Sequence, residues 1–468
     1  MKKAAAFCLV VVLMLALFAG NALAYMDYTG EIAFTGDMSG AYAVMLFDEN
    51  SGMILCQKNI DEPIEPASTT KILTLLLALE NGDMNEVVTV SANAASQIGS
   101  TLDPKLKEGE QVVFKDLING MMLASGNEAA MAVAETVSPD GTMEGFVTMM
   151  NAKVQELDMT HTTFTTPHGR HDENHITTAR DMAILTSYAL QNPEFVQIVG
   201  QETYTMPPTN MCTTERVVQN TNKLLRTDTE YYYSYADGIK TGSTPYAGDC
   251  LVSSASKDGM NLVCLIYKTA ENDPLRWTLS KDLYEWGFSN FTTVDAATLI
   301  DSAGPVQATV ENAAAGDSGA IEFAVPDTNG TYITLDKSVA DAIANGTDSV
   351  VAETTLGGTL QAPIAEGDVL GEVTYKIKST GQVIYQGSLI APRDVAVAGD
   401  EPGESVAAPT ETQTPPPDDQ KDDPGIWLWI LIAAAAIAVA VIVLLIVNQS
   451  KRKRARTRRS QYNYRARK

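Results

Sequence analysis

The stretch Pro66-Ala67-Ser68-Thr69-Thr70-Lys71-Ile72-Leu73-Thr74-Leu75-Leu76-Leu77-Ala78-Leu79 reads as a turn running into a helix. Pro66 disfavours helix at Glu65. The pattern places Ser68 at or near an N-cap, with a nearly unbroken run of good helix formers after it. Residues i and i+3 share a helix face, so Ser68 and Lys71 become neighbours. A hydroxyl beside a lysine at a helix N-terminus is a candidate nucleophile. The amine takes the hydroxyl proton if burial or a second cation lowers its pKa. The helix dipole and free N–H groups favour negative charge developing nearby. The same Ser-x-x-Lys spacing occurs three times, at Ser68/Lys71, Ser254/Lys257 and Ser450/Lys453. Spacing alone therefore does not separate a nucleophile from a capping serine followed by a solvated lysine.

Working outward, the 468 residues suffice for two or three domains, one with a sizeable core. Residues 451–468 hold ten Lys/Arg and no acid, and Lys2 and Lys3 stand at the other end; without these twelve the net charge of −25 would be −37. So acidic a body excludes nucleic acid as a natural partner. Residues 1–24 read as a secretory signal peptide: a basic start, the apolar run Ala4 to Ala19, and Ala22-Leu23-Ala24 as a small-residue cleavage site. The alternative for this segment is an uncleaved anchor. Ile426 to Val447 is a 22-residue uncharged apolar run, long enough to span a bilayer. Trp427 and Trp429 mark one interface, and the basic tail 448–468 marks the cytoplasmic side. Before the span, residues 397–424 hold six prolines and many acids and read as a disordered linker.

Residues 31–60 read as a hairpin, with Ala41 to Phe47 and Met53 to Cys56 flanking turn chemistry at Asp48 to Gly52. Phe114 to Ala134 reads as helix, interrupted at Ala124 to Glu128. Residues 143–157 form another helix whose methionines are core. Asp237 to Tyr267 reads as consecutive strands and Pro274 to Trp286 as a closing helix. From about 293 to 395 short strands alternate with Gly/Asn/Asp turns, as in a small all-β module. The four histidines fall between 161 and 175, but Pro167-His168-Gly169 is a turn and no thiolate is near, so no metal or cofactor is expected. Cys56, Cys212, Cys250 and Cys264 permit disulfides in an exported protein, with buried thiols the equal alternative.

What raises the first Ser-x-x-Lys is its company. Ser68-x-x-Lys71, Ser125-Gly126-Asn127 and Lys240-Thr241-Gly242 follow in that order, and the last is the only Lys-Thr-Gly in the chain. Acyl transfer needs a nucleophile, a base, a proton route to the leaving amine, and donors for an oxyanion. Ser68 and Lys71 suit the first two roles. Ser125 suits proton relay, and Asn127 suits holding Lys71 and a substrate amide. Lys240 and Thr241 suit a substrate carboxylate, and Gly242 permits close backbone approach.

This ordered triplet resembles that of the penicillin-recognising serine acyltransferases. Gly120 to Asn127, Pro167-His168-Gly169, His175 to Asp181, Ala247 to Val252 and Leu360 to Gly367 are similar to segments of the low-molecular-weight D-Ala-D-Ala carboxypeptidases. The resemblance covers about residues 30–395. It implies an α/β (α+β) transpeptidase-like domain over 25–292, with a five-stranded antiparallel sheet and packed helices, then a β domain over 293–396. It implies an acyl-enzyme on Ser68, an oxyanion hole of the Ser68 and Ser243 N–H groups, peptidoglycan stem peptides as substrate, and β-lactams as acylating ligands. Glu128 stands where relatives carry Asp, and Ser243 where many carry His. The Glu-x-x-Leu-Asn deacylation motif of class A β-lactamases is absent between Asn127 and Lys240. The remaining alternatives are a D,D-endopeptidase or transpeptidase with the same site, and an inactive wall-binding scaffold. The expected location is the cell membrane, single-pass, with the catalytic domain outside.

Overall fold

The computed structural model describes residues 25–328 and 330–398. The signal peptide expected at 1–24, nearly all of the 397–424 linker, the span at 426–447 and the basic tail lie outside the described residues. Among the described residues no helix is long and apolar enough to cross a membrane.

The sheet is built from β1 (Met26–Asp27), β2 (Ala43–Asp48), β3 (Met53–Lys58), β4 (Ala236–Thr244), β5 (Gly248–Lys257) and β6 (Met260–Thr269), in the order β1-β3-β2-β6-β5-β4. The five long strands pair antiparallel, as expected. The sixth is an addition: two residues of the N-terminal segment pair parallel to β3. Side-chain alternation explains why β2 and β6 read as continuous apolar runs. Ala43, Met45 and Phe47 enter one core with Val263, Leu265 and Tyr267. Val44 and Leu46 enter a second core with Leu262, Cys264 and Ile266. A sheet covered on both faces needs apolar residues at every position.

The first core lies between the sheet and α1 (Lys71–Asn81), α2 (Phe114–Met122), α3 (Asn127–Val137), α4 (Met143–Glu156) and α5 (Ala179–Leu190). Every residue of α1 from Lys71 to Ala78 is buried, which is why that helix is apolar on all sides. The second core packs under α6 (Leu275–Asn290). The break expected at Ala124–Glu128 separates α2 from α3.

The C-terminal part has its own core, with Ile333, Leu335, Val373, Tyr375, Ile377 and Leu389 among its members. It is mainly antiparallel strand, but it is not purely β: Ala296–Asp301 and Lys337–Ala344 are short helices. Asp48, fully buried at the end of β2, joins it to the sheet. Its carboxylate accepts from Thr293 Oγ1 and Thr334 Oγ1, both at 2.6 Å. All four described cysteines are free thiols.

Candidate active site

The site forms where the start of α1, the α2–α3 break and edge strand β4 meet. Ala67–Thr70 is a 3-10 turn leading into α1. Ser68 therefore lies near two N-caps, Pro66 and Thr70, but is itself neither, and neither of those caps shows a side-chain hydrogen bond. Ala67 has φ +48°, a left-handed conformation that costs an alanine about 1–2 kcal/mol. The neighbours hold it there. Thr70 Oγ1 donates to the Ala67 carbonyl at 2.8 Å and is bonded to His175 Nε2 at 2.8 Å. Gly169 (φ +81°) lies so close that a Cβ there would sit 1.7 Å from the Ala67 oxygen. This is why a glycine ends the Pro-His-Gly turn.

Lys71 is fully buried while Ser68 is half-exposed. Lys71 Nζ lies 3.0 Å from Ser68 Oγ, 2.7 Å from Asn127 Oδ1 and 2.9 Å from the His168 carbonyl. Asn127 Nδ2 donates to the Ile98 carbonyl at 2.6 Å, which turns Oδ1 towards the lysine. Asn127 Oδ1 and a carbonyl only accept. They hold the amine against Ser68 Oγ, and in its neutral form they would take both of its N–H bonds and turn the lone pair to that oxygen. Burial, and then the charge of Lys240, push the Lys71 pKa well down, against an upward pull from Glu128. Glu128 is fully buried, and neither carboxylate oxygen has a hydrogen-bond partner among the described residues.

Ser125, at φ +54°, sits in the sharp turn before α3 and is half-exposed. Lys240 is buried on β4. Among the described residues its Nζ donates only to its neighbour, Thr241 O at 3.1 Å and Oγ1 at 3.4 Å. That leaves ammonium donor capacity for an anion. Burial, and then Arg276, lower its pKa to about 7. Gly242 also makes room within the chain itself. A Cβ there would meet Ala67 Cβ at 3.0 Å, the Pro66 oxygen at 3.1 Å and Ser68 N at 3.2 Å. The glycine lets β4 lie against the Pro66–Ser68 backbone.

Several contributors carried no usable sequence signal. The His168 carbonyl holds Lys71, although the Pro-His-Gly turn was visible. Thr221 Oγ1 bonds Thr241 Oγ1 at 2.7 Å. Arg276 Nη1 reaches the Gly242 carbonyl at 3.3 Å and Asp249 at 3.0 Å. His168 and His175 belong to the scaffold. His168 Nδ1 accepts from Arg170 N and its Nε2 is bonded to Gln97, while burial and then Lys71 hold its pKa down at about 3. His175 is held down to about 4 by burial. The second Ser-x-Asn, at Ser91, caps a short helix by accepting from Ala94 N at 2.9 Å.

A family model described as D-alanyl-D-alanine carboxypeptidase, Peptidase S11, matches residues 33–270. The D-alanyl-D-alanine carboxypeptidase DacF of Bacillus subtilis is 31% identical over 399 residues, covering 84% of this chain and 94% of that protein. DacC of Escherichia coli, a carboxypeptidase of the same name, is 30% identical, covering 77% and 85% respectively. Among solved structures, the carboxypeptidase DacD from Francisella tularensis is similar with a TM-score of 0.63 at 26% identity, covering 81% of this chain and 99% of that one. Penicillin binding protein 5 from Haemophilus influenzae gives 0.60 at 30% identity, covering 78% and 100%.

Proposed function

Because this chain belongs to the D-alanyl-D-alanine carboxypeptidase family of serine hydrolases, we propose that Ser68 is its acylated nucleophile and Lys71 the base that activates it. The protein is a serine D-Ala-D-Ala carboxypeptidase acting on peptidoglycan stem peptides. Ser68 Oγ attacks the carbonyl between the two D-alanines and its proton passes to Lys71 Nζ. The tetrahedral oxygen takes the N–H groups of Ser68 and Ser243, where fixed donors act without reorganising. Ser125 passes a proton to the departing D-alanine amine. Water then hydrolyses the ester. Lys240 and Thr241 receive the terminal carboxylate, and Asn127 orients Lys71. A β-lactam acylates Ser68 by the same steps, except that ring opening leaves the departing amine tethered to the acyl group.

One observation carries this reading: a buried amine of lowered pKa, 3.0 Å from a half-exposed hydroxyl, held against it by two other acceptors. Mass spectrometry of the full chain tests it. Incubation with benzylpenicillin should add one penicilloyl group, and a peptide ending in D-Ala-D-Ala should lose one D-Ala. Absence of both overturns the reading. Release of D-Ala only when an amine acceptor is present would favour the transpeptidase alternative.

The location is part of the proposal. The 1–24 leader, the 426–447 span and the basic tail together support a single-pass membrane protein with its catalytic domain outside the cell. Protease added to intact cells should cut within 397–424 and release a soluble, active fragment. Protection of that linker would reverse the orientation.

A further inference from the structure

Beside the cleft, on loops that the proposed mechanism leaves idle, three side chains form one unit. His171 stacks on Tyr246 with ring centroids 3.7 Å apart and planes 8° from parallel. His171 Nδ1 lies 2.9 Å from Glu65 Oε2. Glu65 Oε1 has no hydrogen-bond partner among the described residues. Tyr246 is 58% exposed, an unusual setting for a ring already stacked on one face. Each residue is tied to the reacting centre through the chain. Glu65 precedes Ser68 by three residues. His171 follows Gly169, which packs on the Ala67 carbonyl. Tyr246 follows Ser243 by three, in the turn where Ala247 N bonds Thr244 Oγ1.

We infer that Glu65, His171 and Tyr246 form a subsite for an ammonium-bearing side chain on the stem-peptide residue two places before its C-terminus. This rests on the reading of the site given above. There, the terminal carboxylate lies at Lys240–Thr241 and the scissile carbonyl at the N–H groups of Ser68 and Ser243. The peptide therefore runs along edge strand β4 from residue 241 towards 243, with the rest of its chain continuing towards the 244–247 turn. Two extended residues reach about 7 Å. From Thr241 to Thr244 the strand advances about 10 Å. The residue two before the end thus arrives level with Ser243–Thr244, at the start of the turn that carries Tyr246.

The chemistry of the three residues fits an amine on a flexible apolar stem. The ring stack offers an apolar wall for the methylenes and a π-face that attracts a cation. Glu65 supplies an anionic acceptor. The surrounding loop reads Arg170-His171-Asp172-Glu173, so with Glu65 three carboxylates stand against one guanidinium. A neutral or anionic group at the same position gains nothing from this arrangement.

The test uses the full chain and two peptides, Nα-acetyl-L-Lys-D-Ala-D-Ala with its ε-amine free and the same peptide Nε-acetylated. The readout is the ratio of their kcat/KM values within each variant, which cancels differences in the amount of folded enzyme. The wild type should favour the free amine by about three- to tenfold at low ionic strength, less at high salt. Glu65→Gln should bring the ratio close to one, and Tyr246→Ala should lower it by about half or more. A wild-type ratio of one, or a preference that survives Glu65→Gln, overturns the subsite. Both peptides cleaved equally would leave the carboxypeptidase reading standing. Neither peptide cleaved, with no penicilloyl adduct, would remove that reading and the subsite with it.

Discussion

Two copies of Ser-x-x-Lys fall within the described residues, and they could hardly be built more differently. Ser68 and Lys71 lie on a 3-10 turn entering α1, where a three-residue separation places both side chains on one face. The lysine is buried and the serine half-open. Ser254 and Lys257 lie on β5, where a separation of three sends side chains to opposite faces. There the serine is buried with no partner for its hydroxyl, and the lysine lies over the Tyr235 ring at 4.7 Å. The same four-residue spacing thus makes a bonded hydroxyl–amine pair on one element and two unrelated side chains on another. Periodicity decides which, and sequence spacing alone does not.

The largest effect that could break this contrast is loss of labelling. Ser68→Ala should abolish the penicilloyl adduct, whereas Ser254→Ala should leave a full one, read by intact mass and peptide mapping. Label on Ser254 in the wild type would remove the distinction. Next comes the base. Lys71→Arg keeps a charge but removes a titratable amine, so the acylation rate should fall about a hundredfold or more. Lys257→Arg should acylate at the wild-type rate. Near-normal acylation by Lys71→Arg would make Lys71 a fixed charge only.

A third substitution sharpens the contrast between lysines that do and do not meet substrate. Lys240→Gln should lower kcat/KM by about ten- to a hundredfold on a peptide with a free terminal carboxylate, since a charge-assisted hydrogen bond contributes roughly 1.5–3 kcal/mol. The loss should be much smaller on the amidated peptide. The wild type should show the same dependence through pH. With the Lys240 pKa lowered to about 7, raising the pH through that value removes its positive charge in the free enzyme. kcat/KM for the carboxylate substrate should therefore decline on the alkaline side, while the amidated substrate shows no such decline from this group. Equal losses on both substrates would make Lys240 structural.

Much of this was legible in the sequence because it depends on local pattern. The apolar run after Lys71, the helix break at Ser125–Asn127 and the strand carrying Lys240-Thr241-Gly242 all follow from residue order. What was not legible depends on residues far apart in the chain. That Gly242 makes room for Pro66–Ser68 is one such feature. Nothing local reveals that the His168 carbonyl fixes the Lys71 amine, or that Thr221 reaches Thr241. Ser68 lies near an N-cap and not at one for a local reason: a 3-10 turn at Ala67–Thr70 precedes α1 and takes Ser68 inside it. In the C-terminal part, turn residues indicated strands correctly but concealed two short helices. These begin directly where strands end, without a loop of their own to mark them.

The smallest expected effect concerns stability and comes from the serine that does no chemistry. Ser254 Oγ is buried with no hydrogen-bond partner among the described residues. Such a hydroxyl gives up its water on folding and gains no bond in return, at a cost of about 1–3 kcal/mol. Ser254→Ala removes that cost. It leaves a void smaller than a methyl group, which takes back less than about 1 kcal/mol. The variant should therefore unfold at a urea midpoint equal to or above the wild type, corresponding to a gain of about 0–2 kcal/mol. Ser68→Ala differs in sign. Ser68 accepts from buried Lys71, so truncation leaves a buried amine short of one partner, and this variant should lose about 1 kcal/mol. Measured side by side, the two truncations remove the same atom from the same motif and should move stability in opposite directions. A loss above about 1 kcal/mol for Ser254→Ala would show that its hydroxyl is bonded in solution, and the account of the β5 copy as an idle pair would have to be rebuilt around that partner.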